Sequence, residues 1–270
     1  MLRIVNVDAT GIREQHLTAL RRQNARPRTI KSRSEILSKI EREAGDLAEL
    51  SRDDLNAWLD RYMSASTRAT YLGHLRSFYR WACENDVLDR DPTSGIRTPK
   101  VPRRLPRPIS ECELTDALAT ATPLVRAWVT LASYSGLRAC EIAAIRGEHI
   151  DRERRSLFIP AQKGGDAATA PLPPTVIAEL SRWPRVGPLW ADHEITANHV
   201  SHTVATHFRS RGIDGGLHRC RHRFATRFLE ASGFDLRATQ EAMRHRSPAS
   251  TALYTEVLPE RLVSIAAKIA

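Results

Sequence analysis

The chain has 270 residues, 41% of them hydrophobic and 27% charged, and its 41 Lys+Arg against 31 Asp+Glu give a formal net charge of +10. No apolar run approaches the roughly 18 residues that a membrane-spanning helix needs, and the opening MLRIVNVDATGIREQ has neither a sustained apolar core nor a small-residue cleavage site, so a cytoplasmic protein is expected. Four scattered cysteines, Cys83, Cys112, Cys140 and Cys220, form no C-x-x-C pair, which favours free thiols and argues against a structural zinc site.

Arginine supplies most of the positive charge, since only Lys31, Lys39, Lys100, Lys163 and Lys268 are lysines, and the larger share of the basic excess lies in residues 1–108. A basic surface attracts polyanions such as nucleic acid. The first hundred residues read as four helices. One runs from about Ile12 to Arg22. The second, in RTIKSRSEILSKIEREAG, sets Ile30, Ile36, Leu37 and Ile40 near one face and stops at Gly45. The third, SRDDLNAWLDRYM, opens on Ser51 as N-cap with Asp54 three residues on, a capping-box variant. The fourth, STRATYLGHLRSFYRWACEND, brings Leu72, Leu75, Phe78, Tyr79 and Ala82 onto one stripe.

In RTPKVPRRLPRP (97–108) four prolines forbid a regular helix, while Arg97, Lys100, Arg103, Arg104 and Arg107 meet no acidic residue. This stretch reads as a linker between a helical domain, 1–96, and a second domain, 109–270. It is either a solvated connection or a strap along a phosphate backbone. Helices resume at Ser110, which forms a capping box with Glu113, and continue in the buried-looking PLVRAWVTLASYSG. SLFIP (156–160) and ATAPLP (168–173) read as short strands around QKGGDA, whose paired glycines suit a hairpin. Helical segments then cover roughly 197–211, 218–232 and 235–244, and ERLVSIAAKIA (260–270) forms a closing helix with an apolar side. The expected fold is mainly α with a small β-sheet.

Four islands carry candidate chemistry. SGLRACEI places Arg138 at the start of a short helix with Glu141 three residues on, a spacing that also suits an ordinary surface pair. Lys163 sits in the hairpin turn, and a lysine can give up a proton where an arginine cannot. LHRCRHRFATRF puts His218 and Arg221 on one helix face; His218 and His222, at i and i+4, could instead pair on a metal, but no acidic residue lies between them as a hydrolytic zinc helix requires. In MRHRSPASTALYTEV, His245 precedes Tyr254 by nine residues, and that tyrosine taken alone could be a core aromatic. Together these residues supply a nucleophilic oxygen, cations and proton donors for attack on a phosphodiester without a metal.

The order Arg138, Lys163, His218-x-x-Arg221, His245, Tyr254, with intervals of 25 residues from Arg138 to Lys163 and 24 from Arg221 to His245, resembles the signature of the tyrosine recombinase (phage integrase) family. The likeness extends over nearly the whole chain, the first hundred residues resembling the family's helical core-binding domain in type rather than in motif. It implies a mixed α/β catalytic domain and a site-specific DNA recombinase in which Tyr254 forms a 3′-phosphotyrosine intermediate. Arg138 and Arg221 would grip the phosphate, His245 would bond to it, Lys163 would protonate the leaving oxygen, and His218 would help move the tyrosine's proton. Glu141 would orient Arg138 or His218 from behind. No cofactor or metal is implied. The implied partners are double-stranded DNA recombination sites, a homotetramer on paired DNA and, where direction is controlled, a directionality factor.

With only about ten residues before the first helix, the chain matches a small phage or prophage integrase without an arm-binding domain. An Xer-like recombinase resolving chromosome or plasmid dimers is the alternative, with a catalytically inactive DNA-binding relative and a type IB topoisomerase as rivals. The chain departs from common family wording at Cys220, where leucine is usual, and at Arg244, where glycine is usual. Neither departure is expected to touch a catalytic side chain.

Overall fold

A computed structural model describes residues 11–62, 64–102, 105–161, 167–190, 195–245, 247–254 and 267. The chain divides into two compact units, Met1–Arg103 and Arg104–Ala270. The division falls inside the proline-rich stretch, whose described basic residues Arg97, Lys100 and Arg107 are exposed and lie in no helix or strand. Arg103 and Arg104 lie outside the described residues. No helix among the described residues is long and apolar enough to cross a membrane.

The first unit consists of α1 (Ile12–Arg22), α2 (Pro27–Ala44), α3 (Arg52–Asp60) and α4 (Ala65–Glu84). Each forms where its apolar spacing and end signals coincide. Pro27 starts α2 at a position where its missing N–H costs nothing, and Gly45 takes a φ of 113° to end it. Ser51 and Asp54 exchange the reciprocal bonds of a capping box at α3. The whole stripe on α4 is buried, and it meets Leu37 and Ile40 of α2 and Leu55, Trp58 and Leu59 of α3 in one core. Tyr79 satisfies its hydroxyl by donating to the Leu47 carbonyl at 2.9 Å.

The second unit is helical around a three-stranded sheet. Its elements are α5 (Glu111–Thr120), α6 (Pro123–Ser135), α7 (Ala139–Ala143), β1 (Ile150–Asp151), β2 (Ser156–Ile159), β3 (Ala168–Pro171), α8 (Pro174–Leu180), α9 (Ala197–Ser210), α10 (Leu217–Ala231), α11 (Leu236–Ala242) and α12 (Pro248–Thr251). A short 3₁₀ turn, Ala252–Tyr254, follows α12. The strands run antiparallel in the order β1-β2-β3, with Leu157 opposite both Ile150 and Ala170. The sequence reading gave two strands and no helix at 174–180. Strand β1 has only two residues, too few to show alternation, and α8, to which the sequence reading assigns no element, is short, although Pro174 at its first position marks a start.

Helix α6 is the axis of this unit. Val125, Trp128, Val129, Leu131 and Ala132 are buried, and the helix packs against α8, α9 and α10. It ends at Gly136, whose φ is 62° and whose missing Cβ leaves room for the Phe224 ring; a Cβ there would lie 2.3 Å from that ring. Helix α10 is oriented from outside by α5. Arg219 reaches Glu113 at 2.7 Å, and Arg223 and Arg227 both reach Glu111 at 2.9 Å. Three of the helix's arginines are thereby committed to internal ion pairs, and its other face turns toward Gly136. The Cys220 thiol sits on the buried side, in the main core, and burial pushes its pKa up to about 11; the departure from leucine is a conservative filling of an apolar site.

Replacing Ser110 by Ala removes the acceptor for the Glu113 N–H at the start of α5 and is expected to destabilise the protein by about 1 kcal/mol in urea unfolding. An unchanged unfolding midpoint would count against the capping argument.

Candidate active site

The left-handed turn at Gly136 brings the end of α6 and the start of α7 against the inner face of α10 and the segment after α11. Arg138 caps α7. Its main-chain N–H donates to Glu141 Oε2 and its Nη1 donates to Oε1, both at 2.8 Å, while Nη2 reaches the carbonyls of Met243 and Arg244 at 3.4 and 3.0 Å. Arg221 is 2% exposed and donates to the carbonyls of Gly136 and Met243. Arg244 donates through Nη2 to Glu141 Oε2 and to the Gly136 carbonyl, each at 2.9 Å, and through Nη1 to the Ala242 carbonyl at 2.8 Å. Three guanidinium groups from three segments thus share Gly136, Met243 and Glu141.

The involvement of Arg244 corrects the expectation that its departure from glycine lies apart from the site. Its φ of 52° is the left-handed conformation that explains why glycine suits this position. Adopting it costs a residue with a Cβ roughly 1–2 kcal/mol. The side chain offsets that cost with an almost fully buried ion pair, its own exposure being 8% and that of Glu141 7%. Of the two partners expected for Glu141, Arg138 or His218, it binds Arg138, and it binds Arg244 as well. Burial works to raise the Glu141 pKa, but Arg244 and Arg138 together overcome it and hold the carboxyl below its ordinary value.

The tyrosine arrives on the turn after α12. Tyr254 is half-buried, and its hydroxyl lies 2.6 Å from His222 Nδ1. Its ring stacks at 13° to that of His245, with centroids 6.4 Å apart. Burial raises the phenol's pKa above its ordinary value, and the positive charges of Arg221 and Arg138 oppose this only in part. His245 is fixed by a contact of 2.8 Å between Nδ1 and the Thr251 hydroxyl, and burial together with Arg221, Arg138 and Arg244 lowers its pKa to about 4. His218 stands at the rim, its pKa lowered by partial desolvation and by Arg221 and Arg138. Its ring meets that of His222 edge to face, 4.3 Å between centroids.

The structure thus brings Arg138, Glu141, His218, Arg221, His245 and Tyr254 into one neighbourhood. Lys163 and the closing helix 260–270, apart from Ala267, lie outside the described residues. The sequence reading weighed His222 only as half of a metal pair and so missed its contact with Tyr254. Its i+4 relation to His218 was the available signal. Among the described residues no cluster of three or more His, Cys, Asp or Glu side chains could hold a metal ion.

This arrangement offers a phenolic oxygen beside imidazoles and a cluster of guanidinium groups. Comparison with known proteins points the same way. Residues 110–261 match the profile of the phage integrase family. Tyrosine recombinase XerC of Escherichia coli is 28% identical over 224 residues, 75% of this chain and 74% of the relative. An integrase from mycobacterium phage Brujita is 32% identical, covering 93% of this chain and 89% of that one, with a TM-score of 0.50. A lambda integrase dimer bound to a COC' core site shares the fold at a TM-score of 0.75 and 15% identity, over 91% of this chain and 76% of that one.

Replacing Glu141 by Gln leaves Arg138 and Arg244 facing each other without their shared carboxylate. A loss of about 3 kcal/mol is expected at neutral pH, measured by urea unfolding. Because the carboxyl's pKa is lowered in the folded state, its contribution is full above the unfolded value of 4.5 and fades as pH falls through the lower folded value; the variant should lack that part of the acid dependence. A variant as stable as the parent at pH 7 would contradict the reading of this pair.

Proposed function

Because the chain belongs to the phage integrase family, the tyrosine recombinases, and is therefore a site-specific DNA recombinase that breaks and rejoins DNA strands, we propose that Tyr254 is its nucleophile and that Arg138, Arg221 and His245 bind the scissile phosphate. The observation that carries this reading is the seating of Tyr254, with its hydroxyl 2.6 Å from His222 on the helix that also carries Arg221 and its ring stacked on His245, beside the Arg138–Glu141–Arg244 cluster.

In this scheme the phenolic oxygen attacks phosphorus, a 3′-phosphotyrosyl bond forms and the bond to the 5′-oxygen breaks. Lys163 gives the leaving oxygen its proton, and His218 helps the tyrosine lose its own. Arg138 keeps 37% of its side-chain surface exposed and can meet a non-bridging oxygen directly. Arg221 lies deeper. Burial and the neighbouring Arg138 and Arg244 lower its pKa to about 9, so it stays charged at neutral pH and stabilises the phosphorane-like transition state from beneath. The ester energy stays in the protein–DNA bond, so resealing runs as the reverse reaction without a cofactor.

The first unit supplies core-site binding, and Arg97, Lys100, Arg103, Arg104 and Arg107 follow the phosphate backbone. The working assembly is a homotetramer on two recombination sites in the bacterial cytoplasm, with a directionality factor where the reaction must be biased. A phage-type integrase is favoured over an Xer-type resolvase because the likeness to the mycobacterial phage integrase is greater in identity and in the share of chain it spans.

The test begins with a randomised pool of nicked duplexes, from which the protein selects its site by forming an SDS-resistant covalent complex. Wild-type protein is expected to be captured, and Tyr254→Phe to bind the selected duplex with no covalent product. Covalent capture by Tyr254→Phe, or no capture by wild type, would overturn the assignment.

A further inference from the structure

The tyrosine's hydroxyl needs somewhere to put its proton, and the residue that touches it is His222, one position past the arginine of the His-x-x-Arg motif. We propose that His222 is the general base of the cleavage step, taking the proton of Tyr254 on Nδ1 as the phenolic oxygen attacks. The inference rests on the reading of Tyr254 as nucleophile.

Three observations carry it. The Nδ1 to hydroxyl distance of 2.6 Å is within direct transfer range, and the geometry comes from the fold: His222 is held on α10, and Tyr254 sits on the 3₁₀ turn at 5.6 Å between ring centroids. His218, the obvious candidate from the motif, packs edge to face on His222, and among the described residues no hydrogen bond joins it to the tyrosine. Finally, the surroundings keep His222 unprotonated and ready to accept. The charged and titratable groups facing it are His218, Arg221 and Tyr254, and burial, followed by His218 and Arg221, holds its pKa at about 4. A phosphate diester arriving beside Arg221 offsets that repulsion and makes the imidazole more basic when the proton must move.

The step balances. The proton leaves the tyrosine for Nδ1, the O–P bond forms, the bond from phosphorus to the 5′-oxygen breaks, and that oxygen takes a different proton from the acid on the leaving side. On resealing, the imidazolium returns its proton to the phenolate oxygen as that oxygen departs.

The test measures the rate of covalent-complex formation on the selected duplex between pH 6 and 9. Wild type should be nearly flat over this range. His222→Asn keeps a hydrogen-bonding atom near the position of Nδ1 but cannot accept the proton. It is expected to bind DNA as wild type does, to cleave about a hundredfold more slowly at pH 7, and to gain about tenfold in rate per pH unit as hydroxide ionises the tyrosine instead. A 5′-bridging phosphorothiolate, whose sulfur leaves without a proton, should not restore the variant. Four results would overturn the proposal: a His222→Asn rate within twofold of wild type, faster cleavage by the variant, an equal loss at every pH, or rescue by the phosphorothiolate. Since Tyr254→Phe is run beside it, an active phenylalanine variant would remove the nucleophile reading, whereas an inactive one with unchanged His222→Asn would remove only the base.

Discussion

One buried carboxylate organises this site. Glu141 accepts from Arg138 and from Arg244, and through the latter it is tied to the Gly136 carbonyl that Arg221 also uses. Three guanidinium groups against one carboxylate leave an excess of positive charge in partly desolvated surroundings. Such an excess is costly in the free protein and is relieved when an anion docks. On the proposed reading that excess is what draws the scissile phosphate, and the carbonyls of Gly136 and Met243 hold the donors in place.

The rest of the unit serves that cage. Gly136 must turn left-handed for α7 to start at Arg138, and it must lack a Cβ for Phe224 to pass. Helix α10 must turn Arg221 and His222 toward the cage with His218 at its rim, and the ion pairs from Glu111 and Glu113 support this by anchoring Arg219, Arg223 and Arg227. Helices α11 and α12 bring His245 and Tyr254 to the same wall, and the bond from His245 to Thr251 locks the two segments together. The tyrosine follows these elements in the chain and rests on His222 and His245.

Much of this was legible in the sequence. The stripe on α4, the capping boxes at Ser51 and Ser110 and the glycine stop at Gly45 are local signals, and local physics decides them. The convergence of Arg138, Arg221, His245 and Tyr254 was readable because their order and intervals resemble a known family. What could not be read depends on tertiary placement. Strand β1 is too short to carry a pattern, and α8 hid behind a proline run. Arg244 looked like an incidental departure because its value lies in contacts with Glu141 and Gly136, more than a hundred residues away in sequence. His222 was obscured by its neighbour, since only the folded chain distinguishes which of two histidines meets the hydroxyl.

The central claim is that Arg138 and Arg221 act by neutralising charge on a phosphate. It is tested most directly by replacing the scissile phosphate of the selected duplex with an uncharged methylphosphonate and measuring covalent attachment by Arg138→Ala and Arg221→Ala. If the cage works as described, these variants should recover much of wild-type reactivity on the neutral linkage while remaining inactive on the natural one. Equal defects on both linkages would contradict it.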